Sequence, residues 1–258
     1  LCGYLRVQGD GMDMGCYEFG NEWPPKKEKE NTLQTGLVAY YPFDGDALDY
    51  SGNEYHGKAM GATLSKDRYG AINRAFDFDG IDDYIEIEEF NWRNRENATI
   101  SMWNYYSAFP KAEDSVYRMV FGMNKEAHCL FLHRAKLYYR QGWGNGWIAA
   151  PAEEKWNHFV LTWSQVDKIV CFFLNGQKIQ EHSAFQNVGL GNGSFRIGAN
   201  DRLKNYHFKG QIDDVRIYDR ALPQDEVTQL YELESAPETP AKPRPPVGPP
   251  TGAPEPLV

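Results

Sequence analysis

Ten short runs of β-branched and aromatic residues, each closed off by turn-forming residues, constrain this chain more than any other feature. They are Leu37–Tyr41, Tyr84–Ile87, Thr99–Trp103, Met119–Gly122, Cys129–Leu132, Lys136–Tyr139, His158–Trp163, Ile169–Leu174, Phe195–Gly198 and Ile212–Tyr218. Such runs between turn signals read as strands. Leu174-Asn-Gly-Gln177 sets an Asn-Gly pair between two of them, a strong hairpin signal. The last run leads into a short helical segment. The expected fold is all-β, an antiparallel two-sheet sandwich with one short C-terminal helix.

Both ends differ from this pattern. The sequence opens at Leu1 with no signal-like apolar stretch and reads as a piece of a longer chain. Residues 1–22 are expected to be the remnant of an upstream domain, because Gly11–Gly20 is similar to the closing segment of right-handed parallel β-helix domains. Residues 23–35, with Trp23-Pro-Pro-Lys-Lys-Glu-Lys-Glu-Asn31, form a connector. The folded bead is expected over 36–232, followed by a linker over 233–258. Nine of the fifteen prolines lie in 235–258, a composition that buries too little apolar area to offset chain entropy and favours extended polyproline backbone.

Composition narrows the partners. Hydrophobic residues make up 41% and aromatics 14%, ordinary for a globular chain. No apolar run approaches the ~20 residues of a membrane helix. A net charge of −9 argues against nucleic acid, whose phosphates would be repelled, and is compatible with binding a cation.

The acidic residues are not evenly spread. Tyr41–Gly57 places Asp44, Asp46, Asp49, Ser51 and Asn53 on a turn-rich loop behind an apolar strand, with Gly45 and Gly52 to let it fold back. Short oxygen-bearing side chains on such a loop are the donor set calcium selects. The same residue types also serve as turn residues that bond loop amides. Downstream, Phe76–Ile87 reads as an acidic strand and Gly210–Leu222 as another carrying adjacent carboxylates. By strict alternation, Asp213 shares the core face with Val215 and Ile217, while Asp214 and Arg216 point outward. A carboxylate on a buried face needs a cation, backbone donors or an arginine.

Taken in order, these segments resemble the laminin G-like jelly-roll modules of the concanavalin A-like lectin/glucanase superfamily, over roughly Gly36 to Glu232. The resemblance is carried by YYPFDG and SGNEYHG, FDFDGIDDYIEI, Ala98–Trp103, Trp156–Trp163, Phe173–Lys178 and GQIDDVRIYDRALPQDEVTQLY. It implies a jelly roll with a calcium ion near the rim, between the first loop and the last strand. The residues implicated are Asp44, Asp49 and Asp213, with carbonyls near Asn53 and His56; His56 itself is expected as a packed loop residue. These modules usually carry Ser where Pro223 stands, so a side-chain helix cap is lost, although proline suits a first helical position.

For a sugar, the sequence offers the glycine-flanked segment Gln141–Ile148, where Trp143 and Trp147 could stack on a ring and Asn145 could hydrogen-bond it. Both indoles could equally close one end of the sandwich. Some relatives of the fold are endoglucanases with strand-borne glutamates, and Glu86-Ile-Glu-Glu89 is the nearest stretch. It lacks the intervening aspartate of their motif, so no catalytic residue is expected. Cys129 and Cys171 lie in apolar strands and are expected as free thiols. The expected function is noncatalytic recognition of a glycan or an extracellular protein, with calcium as the ion. A ligand-free spacer and an accessory domain of a glycan-degrading enzyme compete with it. The resemblance implies a secreted or cell-surface setting.

Overall fold

The computed structural model of the chain describes residues 32–88, 90, 96–107, 109–110, 116–123, 128–141, 144–183, 194–200 and 206–236. The chain falls into two compact units, Leu1–Thr35 and Gly36–Val258. The described part of the first centres on a 3-10 turn, Thr32–Gln34; the fold below is that of the second.

Its strands are β1 (Leu37–Tyr41), β2 (Lys58–Met60), β3 (Thr63–Ser65), β4 (Ala75–Asp79), β5 (Tyr84–Ile87), β6 (Asn97–Tyr106), β7 (Tyr117–Met123), β8 (His128–His133), β9 (Lys136–Gln141), β10 (Gly144–Ala149), β11 (Trp156–Ser164), β12 (Ile169–Leu174), β13 (Gln177–Ser183), β14 (Phe195–Ile197) and β15 (Lys209–Tyr218), followed by helix α1 (Gln224–Ser235). The first sheet has the order β13-β12-β11-β6-β15-β4-β3, with β1 also paired to β15; the second runs β10-β9-β8-β7-β14-β5-β2. Every described pairing is antiparallel. The result is a jelly-roll sandwich.

All ten expected runs lie on strands, Gly198 alone falling just past the end of β14. Alternation explains the core. Ala98, Ile100 and Met102 of β6 and Phe159, Leu161 and Trp163 of β11 meet Ile85, Ile87, Leu130, Leu132, Phe195 and Ile197 from the second sheet. Full burial of a side chain such as these contributes about 1.5–3 kcal/mol. At the β12–β13 hairpin, Asn175 and Gly176 have φ of 49° and 76°, the positive pair that a two-residue turn between twisted strands needs.

Four details depart from expectation. Phe76–Ile87 is not one strand: β4 belongs to the first sheet and β5 to the second, and Gly80–Asp83 carries the chain between them. From Gly144 on, the glycine-flanked segment offered as a sugar contact is regular strand: Gly144–Ala149 forms the edge strand β10, with Asn145 opposite Arg140 and Trp147 opposite Tyr138. Pro223 is the N-cap of α1, not its first helical residue, and provides no side-chain cap. Finally, α1 runs to Ser235, past the expected end of the bead at 232, since Glu234 is buried against the first sheet.

Candidate functional site

The first loop binds mainly itself and β1. Asp49 Oδ1 accepts the Tyr40 and Ser51 amides at 2.9 and 2.8 Å, and Oδ2 accepts the Ser51 hydroxyl and the Tyr55 amide at 2.9 and 3.0 Å. Asn53 Nδ2 donates to the Val38 carbonyl at 2.9 Å, and His56 Nδ1 accepts the Asp49 amide at 3.2 Å. Gly45 and Gly52, at φ of 95° and 92°, supply the left-handed backbone that this folding-back requires. Asp49, Asn53 and His56 are thus organisers of the loop.

Asp44 and Asp213 lie elsewhere, lining a small polar cleft together with Asp67, Arg68, Arg74 and Asp214. Asp213 reaches it through a β-bulge. Between the pairs Asp213–Trp103 and Arg216–Ser101, β15 holds one more residue than β6, and Asp214 sits at φ 43°. The bulge falls where β15 changes neighbour on its other edge, from β4 to β1. An extra residue resets the alternation. Ile212, Val215 and Ile217 therefore all face the core, whereas Asp213 and Arg216 lie on the opposite face of the first sheet. The core-facing position expected for Asp213 is wrong for this reason.

That face carries a buried charge network. Arg68 Nη1 donates to Asp213 Oδ2 at 2.7 Å, Nη2 approaches Asp214 Oδ2 at 2.8 Å, and Nε donates to the Glu234 carbonyl at 2.8 Å. The guanidinium lies over the rings of Trp103 and Tyr69 at 4.8 and 4.9 Å. Tyr40 donates to Asp214 Oδ1 at 2.8 Å. Arg216 Nε and Trp103 Nε1 donate to the two oxygens of Glu234 at 2.7 and 2.8 Å. Burial and the neighbouring Asp214 charge push the Asp213 carboxyl up, against the pull of Arg68, while Arg68 itself is held charged by both carboxylates. Burial, with a second carboxylate alongside, accounts for the first direction, and two carboxylates around one guanidinium for the second.

Calcium does not fit Asp44, Asp49 and Asp213. Asp49 is occupied by loop donors, Asp213 is paired with Arg68, and Arg74 approaches Asp44 at 3.7 Å. A divalent ion would enter beside two guanidiniums. A cluster that could hold a metal among the described residues is Asp79, Asp82 and Asp83, where Asp83 Oδ2 accepts the Asp79 amide and Asp79 Oδ1 accepts that of Ile81.

Ser101, His158 and Glu234 have the residue types of a hydrolase relay but not its geometry. Ser101 Oγ and Glu234 Oε2 both face His158 Nε2, at 2.8 and 3.5 Å, while Nδ1 has no partner among the described residues. A relay needs one partner on each ring nitrogen and an open nucleophile, and Ser101 is fully buried. Burial pushes His158 down to about 3, reinforced by Arg68 and Arg216, and pushes Glu234 up to about 7 against the pull of Arg216. Glu86, from the stretch nearest a glucanase motif, is paired with Arg196 at 2.7 Å.

The outer face of the second sheet is different in character. Leu130 and Leu132 of β8 and Leu137 and Tyr139 of β9 enter the core. The alternate residues Cys129 and Phe131 form a separate cluster with Met119, against which half-buried Tyr117, Tyr138 and Tyr206 pack. Tyr117 stacks on His133 at 4.3 Å and 10°, Phe131 on Tyr138 at 5.5 Å and 7°, and Tyr206 lies 4.8 Å from Tyr117. Helix α1 covers the other sheet, its Tyr231 packing on Trp103 and His158. Of the expected sugar contacts, Trp143 and the side chains of Asn145 and Trp147 lie outside the described residues. The register of β10 nonetheless sets Trp147 opposite Tyr138. The aromatic face was absent from the sequence-based expectation, although Phe131, His133 and Tyr138 alternate with core leucines.

Comparison with known proteins agrees with this architecture. A family profile described as concanavalin A-like lectin/glucanases superfamily, of laminin G type, matches residues 79–228. The binding domain of Paraclostridial Mosquitocidal Protein 1 is similar in structure, with a TM-score of 0.66 at 19% identity, covering 78% of this chain and 53% of that one. The botulinum neurotoxin serotype D binding domain gives 0.63 at 13% identity, covering 79% and 53%. The chain thus spans about half the length of those toxin domains. Domain 4 of AbnA, an extracellular GH43 arabinanase from Geobacillus stearothermophilus solved with arabinotriose, gives 0.61 at 23% identity, covering 76% of this chain and 98% of that domain. No curated protein matches the sequence. Jelly-roll topology, ordered motifs and the profile match agree: the chain belongs to the concanavalin A-like lectin/glucanases superfamily, in its laminin G-like branch.

Proposed function

We propose that this domain is a noncatalytic recognition module that binds glycans outside the cell, through the outer face of its second sheet. The observation that carries the reading is the row of half-buried rings on β7, β8 and β9, Tyr117 stacked on His133 and Tyr138 stacked on the buried Phe131, joined by Tyr206. Tyrosines give rigid contact area with few rotamers to freeze, and each pairs an apolar ring face with a hydroxyl that can bond a sugar's. The backbone of the adjoining strand β10 pairs Trp147 with Tyr138. Support also comes from the arabinotriose complex of AbnA domain 4, a similar fold of similar extent. That domain belongs to an extracellular enzyme, which supports an appended, extracellular role here.

The test is a glycan array probed with residues 36–236. Binding to a defined set of oligosaccharides, lost in Tyr117→Ala and Tyr138→Ala but kept in Tyr69→Ala on the other sheet, is the expected result. An array silent for the wild type, or binding untouched by both substitutions on the second sheet, contradicts the reading.

A further inference from the structure

We propose that Arg68 is the resident cation of the joint between the β3–β4 hairpin, the bulge of β15 and the end of α1, and that it does there the structural work a divalent ion would do. The inference starts from the misfit with calcium. Four carboxylates, those of Asp44, Asp67, Asp213 and Asp214, border one cleft, and carboxylate oxygens are donors that calcium takes. Here a guanidinium occupies the middle. It contacts oxygens of Asp213, Asp214 and Glu234 at 2.7–2.8 Å, and its faces are covered by Trp103 and Tyr69.

Arginine suits this place for chemical reasons. Its planar fork directs N–H donors in several fixed directions at once, it stays charged under burial, and it sheds water more readily than an ammonium or a small divalent ion. The Arg68 and Asp213 side chains are only 9% and 3% exposed, so neither is screened by solvent. The ties span 145 residues to Asp213 and 166 to the Glu234 carbonyl. One side chain therefore fixes the ends of three distant segments, without a metal and without dependence on metal supply.

Removing the guanidinium would leave Asp213 and Asp214 facing each other with Asp67 nearby, an oxygen-rich site of excess negative charge. Arg68→Ala should therefore turn a metal-indifferent domain into a calcium-responsive one. The experiment compares the melting of wild type and Arg68→Ala in millimolar calcium, in magnesium and in EDTA, with calorimetric titration of calcium into each metal-free protein. The expected result is a wild type with the same Tm in all three and no calcium uptake that depends on Asp213. The variant should melt on the order of 10 °C lower in EDTA and recover much of that loss in calcium but not in magnesium, which holds its waters in a tight octahedral shell.

Calcium uptake by the wild type that Asp213→Asn abolishes would overturn the proposal. So would an Arg68→Ala protein that melts like the wild type, or one that melts low and takes up no calcium. Should Arg68→Ala not fold in EDTA, refolding yield with and without calcium replaces the melt: rescue by calcium supports the proposal and equal failure in both opposes it. Arg68→Lys keeps the charge and loses the fork. It should fold with an intermediate Tm and stay indifferent to calcium, and a calcium response in it would contradict the assignment.

Discussion

Arg68 Nη1 and Asp213 Oδ2 lie 2.7 Å apart across 145 residues of sequence. Their pairing explains how two acids on a buried sheet face are tolerated. Removing one partner of such a pair strands the other and costs about 3–5 kcal/mol. The same face anchors the end of α1, because Glu234 joins Arg216 and Trp103 through its side chain and Arg68 through its carbonyl.

A chain ending at residue 232 should therefore be much less stable than one ending at 236. The shorter chain removes Glu234 and leaves the Arg216 guanidinium, buried at 8% exposure, without its carboxylate. A loss of about 2–4 kcal/mol is expected in urea unfolding. Equal midpoints for the two chains would mean that Glu234 is dispensable.

Two buried groups should tilt stability with pH in opposite directions. His158, pushed from 6.5 to about 3, is neutral when folded. The unfolded chain takes its proton first, so stability from this group is present above 6.5 and lost as pH falls from there toward 3. Glu234, pushed from 4.5 to about 7, holds its proton longer when folded. Its contribution is present below 4.5 and lost as pH rises through 7. Between about 4.5 and 6.5 the slopes oppose each other, each at most about 1.4 kcal/mol per pH unit. Glu234→Gln removes the Glu234 slope and keeps that of His158, while Asp213, which burial also pushes up, is present in both proteins, so the variant should lose stability relative to the wild type between pH 6.5 and pH 5. Parallel pH curves for the two proteins would contradict this.

Two glycines of positive φ should respond very differently to alanine. At Gly210, φ is 137° and an added Cβ would lie 2.0 Å from the Tyr105 carbonyl oxygen, so the paired strands β15 and β6 would have to part. At Gly52, φ is 92° and nothing lies within 4 Å of the added atom, leaving only backbone strain of about 1 kcal/mol. Gly210→Ala should cost several-fold more in urea unfolding than Gly52→Ala. Similar costs would show that the close approach at Gly210 is relieved by a shift of the strands.

Much of this architecture is legible in the sequence because strands alternate and turns have their own chemistry, as Asn175-Gly176 shows. The failures have separate physical sources. Alternation has no mark for an inserted residue, so the bulge at Asp214 sends Asp213 to the face opposite the one expected. Glycine suits turns but also edge strands, which hides β10 behind Gly144 and Gly146. Asp49, Asn53 and His56 have side chains that serve a metal or a loop amide equally, and only the account of where each donor goes separates the two. Arg68 carries no local signal for its ion-pair role, since the oxygens it contacts lie 145 and more residues away. The aromatic face was readable in principle, from Phe131, His133 and Tyr138 on the outward positions of β8 and β9.

The most direct test of the recognition function is calorimetric titration of the oligosaccharide that the array selects into the wild-type domain and into Tyr117→Ala/Tyr138→Ala, each shown by thermal melting to be folded. Saturable binding by the wild type, weakened at least tenfold in the double variant at unchanged Tm, is the predicted result. Equal affinity in the two proteins would contradict the assignment of the glycan site to the outer face of the second sheet.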